Sequence, residues 1–160
     1  ANERCLLAVD LIYKANQLGI PNENIWIDPI LTPVSVDINQ LTACLEFMSM
    51  LSDIAPGCKS IIGLSNISNG VPAHLRPYLN RTCLAMLMKY GLYSAIADAF
   101  DAELIKLTRG EMSEIVELVH RVMDGERPDL SSLNQKERDY VKTVYVITGQ
   151  SLYSHSWLEI

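Results

Sequence analysis

The residues able to do chemistry stand where short apolar runs break off. Ile61-Ile62-Gly63-Leu64 runs straight into Ser65 and Asn66, while Ile25-Trp26-Ile27 and Ala95-Ile96-Ala97 each run into an acid, Asp28 and Asp98. An amide such as that of Asn66 both donates and accepts hydrogen bonds, and an ionised carboxylate accepts on two oxygens. Gly63 has no side chain, so another backbone or a flat ligand can come close there. Polar groups at the carboxyl ends of strands are where α/β proteins build ligand sites. The same residues also open turns and cap helices, and residue type alone leaves that reading open. Cys5, Cys44, Cys58 and Cys83 form no C-x-x-C pair, and His74, His120 and His155 are scattered, so spacing points to no metal centre. Cys5, Cys44 and Cys83 fall on helical apolar stripes and read as buried small hydrophobes.

The elements that must position these residues follow from periodicity. Residues 2–18 read as a helix with Asn2 as N-cap, a buried stripe of Cys5, Val9, Ile12 and Leu18, and Gly19 as the stop. Asp37 and Gln40 form a capping-box-like pair opening a second helix with Leu41, Cys44, Leu45, Met48, Leu51 and Ile54 inward. A long loop over 67–78 leads to a helix from Leu79 to Tyr90. Helical patterns resume over Ala102–Leu107 and Glu111–Met123, break at Gly125-Glu126-Arg127-Pro128, and return from Asn134 to Thr148. Strands are expected near 24–28, 60–65, 94–98 and 151–157, all parallel, with both faces of the sheet covered.

Alternating helices and strands indicate a parallel α/β sheet with right-handed crossovers. The 160-residue chain is shorter than the roughly 250 residues of a whole (β/α)8 barrel. Its order, helix first and strand last, suits the C-terminal half of a TIM barrel, from the fourth helix to the eighth strand. The segment 110–149 exceeds one crossover and reads as a helical insertion before the last strand, all within one domain spanning 1–160. An apolar content of 49% against 20% charged residues is a globular composition. A net charge of −6 argues against a nucleic-acid surface, and no run is long enough to span a membrane. The start, Ala-Asn-Glu-Arg, has no signal-type pattern, so a cytoplasmic location is expected.

Four ordered motifs, Asp28-Pro29-Ile30, Gly63-Leu64-Ser65-Asn66-Ile67-Ser68, Asn80-Arg81-Thr82 and Ala95-Ile96-Ala97-Asp98-Ala99, resemble those of the pterin-binding methyltransferases. Among these, methyltetrahydrofolate:corrinoid/iron–sulfur protein methyltransferase is the nearest in pattern. The resemblance covers about residues 24–107, with Leu152–Trp157 similar to that family's final strand.

The resemblance implies transfer of a methyl group from N5 of 5-methyltetrahydrofolate to the Co(I) centre of a corrinoid held by a partner protein, within one-carbon and acetyl-CoA metabolism. A tertiary amine leaves poorly, so N5 must gain a proton or a strong hydrogen bond as the C–N bond breaks. By the same resemblance Asn66, supported by Ser65, assists N5. Asp28 accepts from the pterin N–H groups, and Gly63 lets the ring lie close. Asn69 stands where relatives carry glutamine, Arg76 meets the aminobenzoate–glutamate tail, Ile96 floors the pocket and Asp98 shares the rim. For Asp28 a turn acid, for Arg76 a solvated loop arginine and for Asp98 a helix cap are the plainer readings. No metal is implied. The implied partners are the corrinoid protein, the remaining N-terminal half of the barrel and a second copy of the chain as a homodimer. The alternatives are a methyltransferase of another corrinoid system, of O-demethylase or methylamine type, and a non-catalytic pterin-binding subunit.

Overall fold

The structure, a computed structural model, describes residues 1–159. Three strands form one parallel sheet in the order β1 (Trp26–Ile27), β2 (Lys59–Gly63), β3 (Ser94–Ile96). The register pairs Trp26 with Lys59, Ile61 with Ser94 and Gly63 with Ile96. The helices are α1 (Asn2–Gln17), α2 (Ile38–Ile54), α3 (Arg76–Met88), α4 (Ala102–Thr108), α5 (Ser113–Met123) and α6 (Gln135–Ile147). The fold class is thus α/β with alternating helices and parallel strands.

In β2 the side chains of Ser60 and Ile62 are buried against helices, while Lys59, Ile61 and Gly63 are half-buried. Partners in register share a face, so Trp26 and Ile96, 47% and 68% exposed, lie with Lys59 and Gly63 on the open side. The expectation of a sheet covered on both faces is corrected: the described residues cover one. The apolar character of the second face is explained by aromatic contacts instead. Trp26 and Tyr93 meet edge to face at 5.2 Å between centroids, and the Lys59 ammonium lies 5.4 Å from each ring.

The core lies on the helical side. Leu41, Cys44, Phe47 and Met48 of α2 join Cys83, Met86 and Leu87 of α3 and Val141, Val144 and Ile147 of α6, all essentially inaccessible. Asp37 caps α2 by accepting from the backbone N–H groups of Asn39 and Gln40. The reciprocal Gln40 contact is absent, because Gln40 Oε1 accepts from Arg4 across to α1. Segment 110–149, read as an insertion, carries α5 and α6, which pack on α3 and belong to the same core.

Four further expectations are corrected. Residues 151–157 form no fourth strand: 151–154 are irregular chain, and turns begin at His155. Trp157 is buried there with its indole N–H on Thr143 Oγ1 at 3.0 Å, and Lys142 Nζ donates to the Leu158 carbonyl at 2.7 Å. A buried indole needs an acceptor, and α6 supplies it. On α1 only Ala8 and Ile12 are buried; Val9 and Leu18 face outward and Cys5 is half-buried. Ala1, not Asn2, occupies the N-cap position, without a side-chain bond. Helix α3 begins at Arg76 rather than Leu79, with Pro77 in its first turn, where a missing N–H costs nothing.

Candidate functional site

Asp28, Asn66 and Asp98 each follow the carboxyl end of a neighbouring strand, so the sheet brings all three to one rim. Asn66 sits centrally. The chain leaves β2 through a 3-10 turn, Leu64–Ser68, that buries Leu64, Ile67 and Ser68 and exposes Ser65 and Asn66. This turn folds the Asn66 side chain back over Gly63. A Cβ on Gly63 would lie 3.1 Å from Asn66 Nδ2, closer than such atoms pack comfortably. The glycine therefore makes room for the asparagine amide. Because Gly63 pairs with Ile96, the amide is placed on the open face beside an exposed apolar side chain.

A polar brace holds this turn. Arg76 Nε donates to Ser68 Oγ at 3.2 Å, and Ser68 Oγ donates to the Ser65 carbonyl at 3.2 Å. The loop after β1 is laced to the same turn. Val34 N donates to the Ile67 carbonyl at 2.9 Å and Ser35 Oγ to the Asn69 carbonyl at 3.3 Å. Asn69 is exposed just beyond the turn, its N–H on the Asn66 carbonyl. Arg76 is thus a half-buried brace as well as a cation near the rim. Ser68, which links it to Ser65, enters the sequence reading only as the end of the Gly63–Ser68 motif, because a serine two residues beyond Asn66 carries no periodic signal for a bracing role.

The two acids are partly committed to their own loops. Asp28 Oδ1 accepts from Ile30 N at 2.8 Å, and Asp98 Oδ1 accepts from Phe100 N at 2.9 Å. Both carboxylates are exposed. Ile30 itself has φ 60, in the left-handed region that a β-branched residue rarely enters. Asp98 does not cap α4; Asp101 does, accepting from Leu104 N at 3.0 Å. Asp98 also borders a groove of about 380 Å³ along the free edge of β3, lined by Leu84, Met88, Leu92, Leu104 and Ile105. Gly63, Asn66 and Asp28 do not line it.

The rim thus carries an amide over a glycine at its centre, an exposed carboxylate after the strand on either side, and the exposed Ile96 beside Gly63. Among the described residues no group of three or more His, Cys, Asp or Glu side chains could hold a metal ion. No helix among them is long and apolar enough to cross a membrane. No family model matches the chain.

Proposed function

We propose that this chain is the carboxyl-terminal part of a pterin-binding methyltransferase barrel, which passes the N5 methyl of 5-methyltetrahydrofolate to the Co(I) centre of a corrinoid carried by a partner protein. The observation that supports the reading best is the Asn66 amide lying over Gly63, at the carboxyl end of the central strand and on the uncovered face. A parallel sheet bare on one face calls for a further covering layer. In this reading the other half of the barrel supplies it, together with the pterin contacts that the rim of this half lacks.

In the reaction the methyl–N5 bond breaks, its electron pair stays on N5, and N5 takes up a proton. The group this chain brings to that change is Asn66. An amide has no useful acidity, so it orients a water or holds the protonating species, with Ser65 beside it on the turn. N5 is far more basic as the methyl leaves than before. An interaction that strengthens along that path lowers the barrier rather than the binding energy. Asp28, accepting from pterin N–H groups in ground and transition states alike, acts as an anchor.

The test is stopped-flow methyl transfer to a Co(I) corrinoid, alongside equilibrium folate binding by the full-length protein. Asn66→Ala is expected to slow transfer by about 10²–10⁴-fold with a much smaller loss of binding. Asp28→Ala is expected mainly to raise KM. Equal losses of rate and binding in Asn66→Ala would make Asn66 an anchor and refute its assigned role. A second reading, a pterin-binding subunit without chemistry, draws support from Asp28 and Asp98 each spending an oxygen on its own loop. It predicts binding with no transfer.

A further inference from the structure

We infer that Arg81 is a positioning residue for the rim: its guanidinium holds the loop after β3, and with it Asp98, at a set place beside the Asn66 turn. Arg81 stands on α3, the helix that the Asn66 loop feeds into. Its Nε donates to Asp101 Oδ1 at 2.9 Å and Oδ2 at 2.8 Å, and its Nη2 lies 2.8 Å from Oδ1. Its Nη1 donates to Glu103 Oε2 at 2.6 Å, and the other oxygen of Glu103 takes Lys136 from α6. The pair is mostly shielded: the Arg81 side chain is 20% exposed and that of Asp101 only 8%.

Exposed ion pairs contribute little, but a forked arginine on a shielded carboxylate fixes geometry. Burial works against the charge on Arg81, yet the Asp101 hydrogen bond and the Asp101 and Glu103 carboxylates keep its pKa above the ordinary value. Asp101 connects this clamp to the rim. Its backbone N–H donates to the Asp98 carbonyl at 3.3 Å, closing the turn in which Asp98 Oδ1 accepts from Phe100 N. Without the clamp, little else holds residues 97–100, which are all exposed. The placement of Asp98 relative to Asn66 therefore depends on a side chain that need not touch the ligand.

The ligand half of the test rests on the pterin reading; the loop half does not. Arg81→Lys keeps the charge and loses the fork. Asp101→Asn keeps the α4 cap and loses one anionic oxygen. Amide hydrogen exchange at Phe100 and Asp101 is expected to quicken by about ten-fold in both variants, with the α3 core amides unchanged. In the full-length protein, Arg81→Lys is expected to weaken methyltetrahydrofolate binding by about five-fold alone, and not at all in an Asp98→Ala background. Unchanged loop exchange, or exchange that rises equally through α3, overturns the inference. So does a binding loss that persists without Asp98. If the unaltered protein binds no methyltetrahydrofolate, the pterin reading fails and the exchange data alone decide for or against the clamp.

Discussion

Ile62 and Ile96 stand one register position apart on adjacent strands, with the same side chain and opposite fates: Ile62 is 0% exposed and Ile96 68%. Ile62 points at the helical layer and Ile96 at the open face. The difference shows that residue type sets which segments become strands, while burial depends on what packs against each face. The covered side carries the stability of the fold; the open side carries the Asn66 amide and the aromatic cluster around Lys59, with the two acids at the rim beside grooves that helix residues line.

Paired truncations give the largest contrast. Phe47→Ala empties a fully enclosed site on α2 and is expected to cost about 3–5 kcal/mol in denaturant unfolding. Ile96→Ala is expected to cost under about 1 kcal/mol in the same experiment. Similar losses would mean that the open face is packed in solution.

The covered side is also expected to make the fold sensitive to alkali. Burial pushes the Cys44 thiol up to about 11 and drives Cys83 higher still. Below about pH 8 the thiols are protonated in both folded and unfolded chains. As pH rises past 9 the unfolded chain sheds protons that the folded one keeps, so stability falls by roughly 1.4 kcal/mol per pH unit for each thiol. Unfolding free energies measured from pH 8 to 11 should show this decline, and Cys44→Ala should make it shallower.

On the open side Gly63→Ala should leave stability within about 1 kcal/mol while turning the Asn66 amide away. Side-chain amide resonances of Asn66 would report the displacement, and on the proposed reading methyl transfer by the full-length protein falls with it. Smallest of all is Ile30→Gly. Relief of left-handed strain, about 1–2 kcal/mol, is offset by the roughly 0.5–1 kcal/mol entropy cost of glycine, leaving a slight rise in thermal stability.

The strands and the rim are legible in the sequence, but the contrast between the two faces is not: the apolar runs point to a sheet covered on both sides. The apolar runs at Trp26, Ile61 and Ala95 marked all three strands, and the polar residues after them marked the rim. Gly63 reads as a place where another backbone or a flat ligand comes close; in the structure the group lying against it is the Asn66 side-chain amide. What the sequence could not show were the side-chain partnerships made across the fold. Trp157 took Thr143 as its acceptor, so an alternating segment packed on α6 instead of joining the sheet. Along α1 the buried positions are Ala8 and Ile12, with Cys5 half-buried beside them, which leaves Val9 and, just past the helix end, Leu18 outward. Arg81 and Asp101 lie far apart in sequence, although Asp101 before Ala-Glu-Leu does carry a helix-start signal.

The most direct test of the central claim is a titration of the 160-residue chain with 5-methyltetrahydrofolate, followed by backbone and side-chain amide resonances. The pterin reading predicts weak, saturable shifts confined to residues 63–66, Asp28 and 96–98, lost in Asp28→Ala and largely kept in Asn66→Ala. Saturable shifts that map instead to the groove between β3 and α4, or none at all at millimolar folate, would contradict it.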